Sequence, residues 1–580
     1  MTDSASLAGP GAAPGPGAGH APAPPAAGAP DGGAHPGRDA EPAGTERALA
    51  SAVRVVSGVT LLSRLGGLLR DVVVILLFGT SATGSAVVAA MAIPNIFRRL
   101  FGEGALSAAF LPVYSAAQRQ GRDRADALLS LTVAALGALT AVIALAVCLG
   151  VVGLVLLLPG DADRGLSLGL IAVTIWFMPA ICAAAILAAA LQVHGRFGPA
   201  SSGPLVLNGL VIVAGGSMLL AGVGAGPGSA YALAAVTVLS GVVQVWWFAR
   251  ALRGRAAWNS DYASAAALVR GMLRRFVPVA LGLGAVQLSV VFDTFLAMYP
   301  IWVGPTLLGR PYPLDAGSNV IVTAAARMYQ FPLGVFGIAV ATAAFPMLAA
   351  AGARSDGPAL VGTLRRSVRL SLLIGLPASV GLVLVRQDVM AVFSIGGMGL
   401  GERGAQRAAA ALLGFAPAVW AYGLNHVLSR GFYAIGDTRT PMRVSVAMVG
   451  VNACVAAALI WPLQEAGIAW ATSIGATAQC AALGVLLMRR VARTHAGVGS
   501  LLDAATALAA ARLVVAAAVM GAAVWAVTEF YTVGPGTAPR LWRLGLCVAA
   551  GAAVYAAAGR ALGAPEVGWV LRGLPGARRG

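Results

Sequence analysis

Val55–Gly79 reads VVSGVTLLSRLGGLLRDVVVILLFG, an apolar stretch that holds Arg64, Arg70 and Asp71. A membrane-spanning helix needs roughly 20 mostly apolar residues, and this stretch supplies them. A charge at mid-bilayer costs about 2.5–3.5 kcal/mol on insertion scales, so such residues face a bundle interior or a wet cavity. The next apolar stretch repeats the pattern: Pro94–Gly104 reads PNIFRRLFGEG and carries Arg98, Arg99 and Glu103. The excess charge is cationic, which suits a cavity built for an anion.

The rest of the chain has the same membrane character. It has 580 residues, of which only 11% are charged, and a mean hydropathy of +0.82. That describes a polytopic membrane protein, not a soluble domain. A net charge of +18 would suggest nucleic acid in a soluble protein. Here most of the arginines lie in loops on one side of the membrane, so the partner is the lipid bilayer and no nucleic acid is expected. The sequence contains no lysine, so all 40 basic residues are arginine, the side chain that suits bidentate phosphate contacts. The five cysteines (Cys148, Cys182, Cys454, Cys480 and Cys547) lie in apolar stretches without metal-ligand spacing. They read as helix-packing residues. The five histidines are scattered and form no cluster.

Residues 1–48 are mostly Ala, Gly and Pro and read as a disordered cytoplasmic tail without the pattern of a signal peptide. Fourteen apolar segments follow, near 52–79, 84–117, 127–158, 165–193, 203–222, 229–251, 275–301, 317–350, 367–394, 407–434, 441–462, 466–489, 506–530 and 541–562. They predict an all-α polytopic protein with about 14 transmembrane helices in two pseudo-symmetric lobes around a central cationic cavity. Residues 49–255 hold six helices as an N-lobe and 270–491 six more as a C-lobe. Residues 504–564 hold two extra helices, and 565–580 form a second cytoplasmic tail. Alternate loops collect the arginines, for example Arg119, Arg122 and Arg124, or Arg354, Arg365, Arg366 and Arg369. The intervening loops carry only Arg164, Arg310, Arg403, Arg407, Arg540 and Arg543. The positive-inside rule then places both termini in the cytoplasm. Trp246, Trp247, Trp302 and Trp542 fit interfacial aromatic belts.

An internal repeat supports the two lobes. AAFLPVYSAA (Ala108–Ala117) matches AAFPMLAAA (Ala343–Ala351), and LQVHGRFGPA (Leu191–Ala200) matches GFYAIGDTRTP (Gly431–Pro441), each pair about 235–242 positions apart. Transporters are often built from such repeats, with the substrate between them.

Arg64 and Asp71 are seven positions apart and share a helix face. Arg99 and Glu103 are four apart and can pair on their own helix. Those two pairings leave Arg70 and Arg98 unmatched. Arg327 lies in the eighth segment, in ARMYQFPLGVFGIAVATAAF, with no acid nearby in the sequence. Converging arginines from the first, second and eighth segments would form an anion site lined by both lobes. Gly66, Gly67, Gly334 and Gly337 near them allow close helix approach, and Pro94, Pro112, Pro332 and Pro346 predict kinks. Asp293 of the seventh segment and Asn452 of the eleventh are candidate ion-coupling residues. Asp293 either binds a coupling cation or pairs with an arginine, and the sequence leaves both readings open. No nucleotide-binding, metalloprotease or nucleophile-elbow motif is present, so the chain reads as a transporter and not an enzyme. No cofactor is expected; a monovalent cation or the membrane potential would drive it.

Four motifs carry a family resemblance: LSRLGGLLRD (Leu62–Asp71), PNIFRRLFGEGALSAAFLPVY (Pro94–Tyr114), ARMYQFPLGVFGIAVATAAFP (Ala326–Pro346) and GFYAIGDTRTPMR (Gly431–Arg443). Together they resemble the MurJ/MviN family of lipid II flippases, within the MOP exporter superfamily, over roughly residues 50–562. The resemblance implies alternating access in a bacterial inner membrane. It implies an undecaprenyl-pyrophosphate-linked disaccharide pentapeptide (lipid II) as substrate and cell-wall synthesis proteins as partners. It assigns substrate binding to Arg64, Arg70, Arg98 and Arg327, with Arg99 and Glu103 in the same motif. It assigns a groove for the lipid tail to the last two helices. The chain departs from the family pattern at Ser85, where many members have Asp, and at Ala92, where a basic residue is usual. It also departs at Thr323–Ala326, which lack paired tyrosines and an acid, and at Ala456, where sodium-binding members have a second acid. The alternatives are a MOP-type exporter of another lipid-linked glycan or small molecule, and a non-transporting membrane scaffold.

Overall fold

The computed structural model describes residues 42–97, 105–158, 161–494, 499–534 and 536–573. The chain divides into residues 1–51 and 52–580, and the architecture below is that of the second unit. In hydrocarbon, a segment must satisfy its own backbone N–H and C=O groups, and a helix does so within one stretch. Where they are described, the fourteen apolar segments are accordingly helical.

The first six segments hold α1 (Pro42–Phe78), α2 (Ala82–Phe97) with α3 (Ala105–Gln120), α4 (Arg122–Leu157), α5 (Ala162–Thr174) with α6 (Phe177–Val193), α7 (Phe197–Ser201) with α8 (Gly203–Leu220), and α9 (Pro227–Leu252). The helix α1 begins at Pro42, so residues 42–48 of the segment read as tail are helical. A short antiparallel hairpin, β1 (Thr306–Leu307) and β2 (Arg310–Pro311), separates α10 (Tyr262–Trp302) from α11 (Ser318–Pro332). Then come α12 (Ile338–Ala353), α13 (Gly357–Leu384), α14 (Arg386–Met390), α15 (Gly401–Phe415) with α16 (Ala418–Ala434), α17 (Arg439–Leu463) and α18 (Glu465–Thr494). The last pair is α19 (Ala504–Phe530) and α20 (Thr537–Ala561), followed by α21 (Pro565–Gly573). Among the described residues, ten helices or helix pairs are long and apolar enough to cross a membrane.

Local chemistry sets several boundaries. Asp161, Asp261, Asp356 and Asp503 cap α5, α10, α13 and α19, each side chain accepting from a backbone N–H of the first turn. At Pro332 the missing N–H breaks the helical ladder, and the chain crosses from α11 to α12 through a π-helical turn over Leu333–Gly337. Pro112 and Pro346 also lie inside helices.

The structure has two helical lobes with separate apolar cores. Phe110, Tyr114, Leu128, Phe177, Ile181 and Phe248 build the core of the N-lobe. Ile321, Phe393, Leu412, Phe415, Ile460 and Ile468 build the main core of the C-lobe, and Leu513, Met520 and Cys547 of α19 and α20 join it. The long α10 enters both cores. Val269, Met272 and Phe276 pack in the first, and Leu296 and Ala297 in the second.

At one end of the bundle the lobes meet across the α1–α2 turn. Gly79 has φ of +61° there, and a β-carbon on it would come within 2.9 Å of Gly399 O. Thr80 packs against Gly317 and Gly404, and Asn319 donates to Ser85 O at 3.0 Å. Trp302 Nε1 donates to Ser167 Oγ at 2.9 Å on the same side.

Candidate functional site

The charges of α1 do not pair along their own helix as their seven-residue spacing suggests. Asp71 takes Arg70 instead: Nε and Nη2 donate to its Oδ1 at 3.0 and 2.7 Å. Its other oxygen, Oδ2, lies 2.7 Å from Arg327 Nε across the boundary to α11. That second contact is one of charge, because the Arg327 Nε–H is not aimed for a hydrogen bond. Arg327 therefore does have an acid, supplied by a distant segment, and Arg70 is not unmatched. Arg64 has no acidic partner among the described residues. Its guanidinium lies against Gly334 in the π-helical turn, in the space a β-carbon there would fill.

Arg70 and Arg327 thus share the Asp71 carboxylate, with one positive charge in excess, and Arg64 adds a second against the π-helical turn that follows α11. The side chains of Arg70, Asp71 and Arg327 remain 16%, 13% and 30% exposed. The cluster therefore borders accessible space and is not sealed inside packing. Asn208 of α8 supports α1 beside it: Nδ2 donates to Ser63 O at 3.0 Å, and the side chain lies against Gly66 and Gly67. Arg98, Arg99 and Glu103 lie outside the described residues.

Asp293 and Asn452 meet, with Asn452 Nδ2 donating to Asp293 Oδ1 at 3.3 Å. Among the described residues no arginine pairs with Asp293. Ala456, one turn beyond Asn452, is fully buried and adds no second acid. No group of three His, Cys, Asp or Glu able to hold a metal occurs among the described residues. Ser85 is likewise fully buried, and its Oγ has no partner among the described residues.

Sequence reasoning missed three charged assemblies. Arg407, read as a loop arginine, pairs with Asp315 at 2.7 Å and with buried Glu465, and Ser318 Oγ donates to Glu465 at 2.6 Å. Burial pushes the Asp315 carboxyl up, but the Arg407 hydrogen bond and charge hold it below the usual carboxylate range. Arg430 of α16 donates to Thr342 Oγ1 at 3.0 Å and sits 5.6 Å over the Phe345 ring. Arg543 of α20 forks onto Asp388 of α14, at 2.9 and 2.7 Å. The signal for each was an isolated charge in or beside an apolar segment, but nothing in the sequence names the partner.

Residues 75–541 match the family model described as lipid II flippase MurJ. The chain belongs to the lipid II flippase MurJ family. It is a membrane transporter and not an enzyme. A relative from Rhizobium tropici, named probable lipid II flippase MurJ, is 29% identical over 543 residues, covering 90% of this chain and 95% of its own. One of the same name from Vibrio cholerae is 28% identical over 457 residues, covering 74% and 81%. Among solved structures, an inward-closed lipid II flippase MurJ superposes with a TM-score of 0.68 at 18% identity, covering 87% of this chain and 99% of that one. An inward-facing multidrug resistance MATE transporter of the MOP superfamily superposes with 0.61 at 16% identity, covering 76% and 98%. These likenesses establish the two-lobed MurJ and MATE fold for this chain.

Proposed function

We propose that this chain moves lipid II from the cytoplasmic to the outer leaflet of a bacterial inner membrane by alternating access, with arginines holding the pyrophosphate. The observation that carries the reading is the contact of Arg70 and Arg327, from α1 and α11, with the one carboxylate of Asp71, while Arg64 of the same α1 lies against the turn that follows α11 with no acidic partner among the described residues. Guanidinium groups bind phosphate oxygens through short, charge-assisted and often bidentate bonds. Asp71 holds Arg70 and Arg327 together while no anion is present, and an arriving pyrophosphate replaces it. Arg98, Arg99 and Glu103 complete the binding set from the neighbouring motif.

The end closed by the α1–α2 turn is the outer end, and both termini are cytoplasmic, as the alternation of loop arginines supports. Parting of that seal opens the cavity outward. The pair α19 and α20 provides the surface for the lipid tail. A monovalent cation at Asp293 and Asn452, or the membrane potential itself, drives the cycle; one charge crossing 100 mV supplies about 2.3 kcal/mol. Cell-wall synthesis proteins that consume lipid II are the partner class.

Complementation of bacteria depleted of their own lipid II flippase tests this. The unmutated chain should restore growth, whereas Arg64→Ala and Arg327→Ala should insert normally and fail. Full rescue by both variants removes the arginine site. Failure of a correctly inserted unmutated chain assigns a different lipid-linked substrate.

A further inference from the structure

The turn between α16 and α17 opens into a bowl of about 520 Å³, separate from the cluster on α1 and α11. Residues 435–440 form one wall, with Arg443 from the first turns of α17 and Arg490 from the end of α18. Arg439, Arg443 and Arg490 bring three positive charges to it. The single acid of the lining, Asp437, is turned back into the chain. Its Oδ1 accepts from the backbone N–H groups of Arg439 and Thr440 at 3.1 and 3.0 Å, and its Oδ2 from the Thr440 hydroxyl at 2.8 Å. Among the described residues, the Arg439 and Arg443 guanidinium groups have no acceptor and no ion-pair partner.

Arginines collect on one side of a membrane protein whatever their use, so clustering alone decides nothing. The internal repeat supplies the comparison. Leu191–Ala200 forms the matching turn of the N-lobe, and its Arg196 donates to Ala251 O at 2.9 Å. That arginine is satisfied within the fold. The arginines of the C-lobe turn instead line an open concavity and leave it with two charges in excess. Met442 and Val446, both exposed on α17, lie beside it and offer apolar contact to an acyl chain.

We propose that the α16–α17 turn is a phosphate-binding site, taking either the phosphodiester headgroup of an anionic lipid or a free phosphate. Planar guanidinium forks match phosphate oxygens, and basic side chains at a membrane surface attract anionic lipid. The inference rests on this concavity and not on the transport reading.

The test uses the full chain in phosphatidylcholine nanodiscs, in an Arg64→Ala/Arg70→Ala/Arg98→Ala/Arg99→Ala/Arg327→Ala background that removes the other arginines. Two probes are titrated: short-chain phosphatidylglycerol, followed by native mass spectrometry, and inorganic phosphate, followed by equilibrium dialysis. At least one should bind, with an affinity that falls as ionic strength rises. R439Q/R443Q should weaken it by about 25-fold, at about fivefold per arginine, and R439K/R443K should retain part of the affinity. Binding of phosphatidylglycerol alone identifies a lipid headgroup; binding of inorganic phosphate identifies a free anion. Absence of binding by both probes to the unmutated turn overturns the proposal, as does equal binding by the glutamine pair.

Discussion

At the scale of single residues, Asp71 decides how the charges of α1 and α11 coexist. One carboxylate with two oxygens contacts Arg70 and Arg327 at once, and it ties the lobes through a contact of opposite charges. Arg64 is placed differently, by shape. Its guanidinium occupies the volume above Gly334, and glycine is the residue that leaves such space open. Gly334→Ala should therefore push Arg64 out of place without altering any charge. Misplacement by about 1 Å is enough to cost on the order of 100-fold in a positioned site, so transport by reconstituted protein should fall by 10–100-fold while membrane insertion is unchanged. Wild-type transport by that variant would remove Arg64 from the site. The arginines themselves were legible in the sequence, because a charge in an apolar segment stands out by hydropathy alone. Their partners were not. The acid for Arg327 lies on α1, and only the folded chain brings it near, while the Arg64–Asp71 spacing suggested a pair that the neighbouring Arg70 forms instead.

At the scale of elements, α19 and α20 are held to the C-lobe by apolar packing and by ion pairs at both ends. Arg543 of α20 grips Asp388, which is 1% exposed, with two hydrogen bonds. At the other end Arg365 lies 3.0 Å from Asp503, and Arg369 donates to Thr506 at 3.0 Å. Removing one partner of a buried pair leaves an uncompensated charge and costs about 3–5 kcal/mol, whereas replacing both by apolar residues is often neutral. Arg543→Gln should lower the thermal midpoint of the detergent-solubilised protein, and Arg543→Leu with Asp388→Leu should recover most of the loss. An equal drop in both variants would show that the pair does not anchor α20. Hydropathy located the apolar segments, which are helical where described, because span length follows bilayer thickness. It did not show where spans break. Segment 165–193 divides at Trp176, and segment 317–350 passes through a π-helical turn after Pro332. The proline signalled a kink, but the form of the kink depends on the packing around it.

At the scale of the whole bundle, the closed end and α10 limit how the lobes can move. Because α10 contributes Val269, Met272 and Phe276 to one core and Leu296 and Ala297 to the other, rocking of the lobes must bend or pivot this helix. The repeat in the sequence implied two lobes, but it assigned α10 to one of them, since periodicity reports that a helix is buried and not by which neighbour. The seal across the α1–α2 turn is made of close backbone approaches of Gly79 to Gly399 and of Thr80 to Gly317, of the Thr80 methyl against Gly404, and of the bond from Asn319 to Ser85 O. None of these is an ion pair, so separation exposes hydrogen-bonding groups to water at little cost, and the contact suits a joint that opens and closes. A ligand shifts such an equilibrium only through unequal affinity for its two states. Fixing one state should therefore stop transport and leave binding intact. Cysteines at Ser85 and Asn319, oxidised to a disulfide, would hold α2 to α11. Transport by the oxidised S85C/N319C protein in vesicles should be lost and should return on reduction, with each single variant unaffected by oxidant. Complete cross-linking with undiminished transport would mean that this end stays closed throughout the cycle.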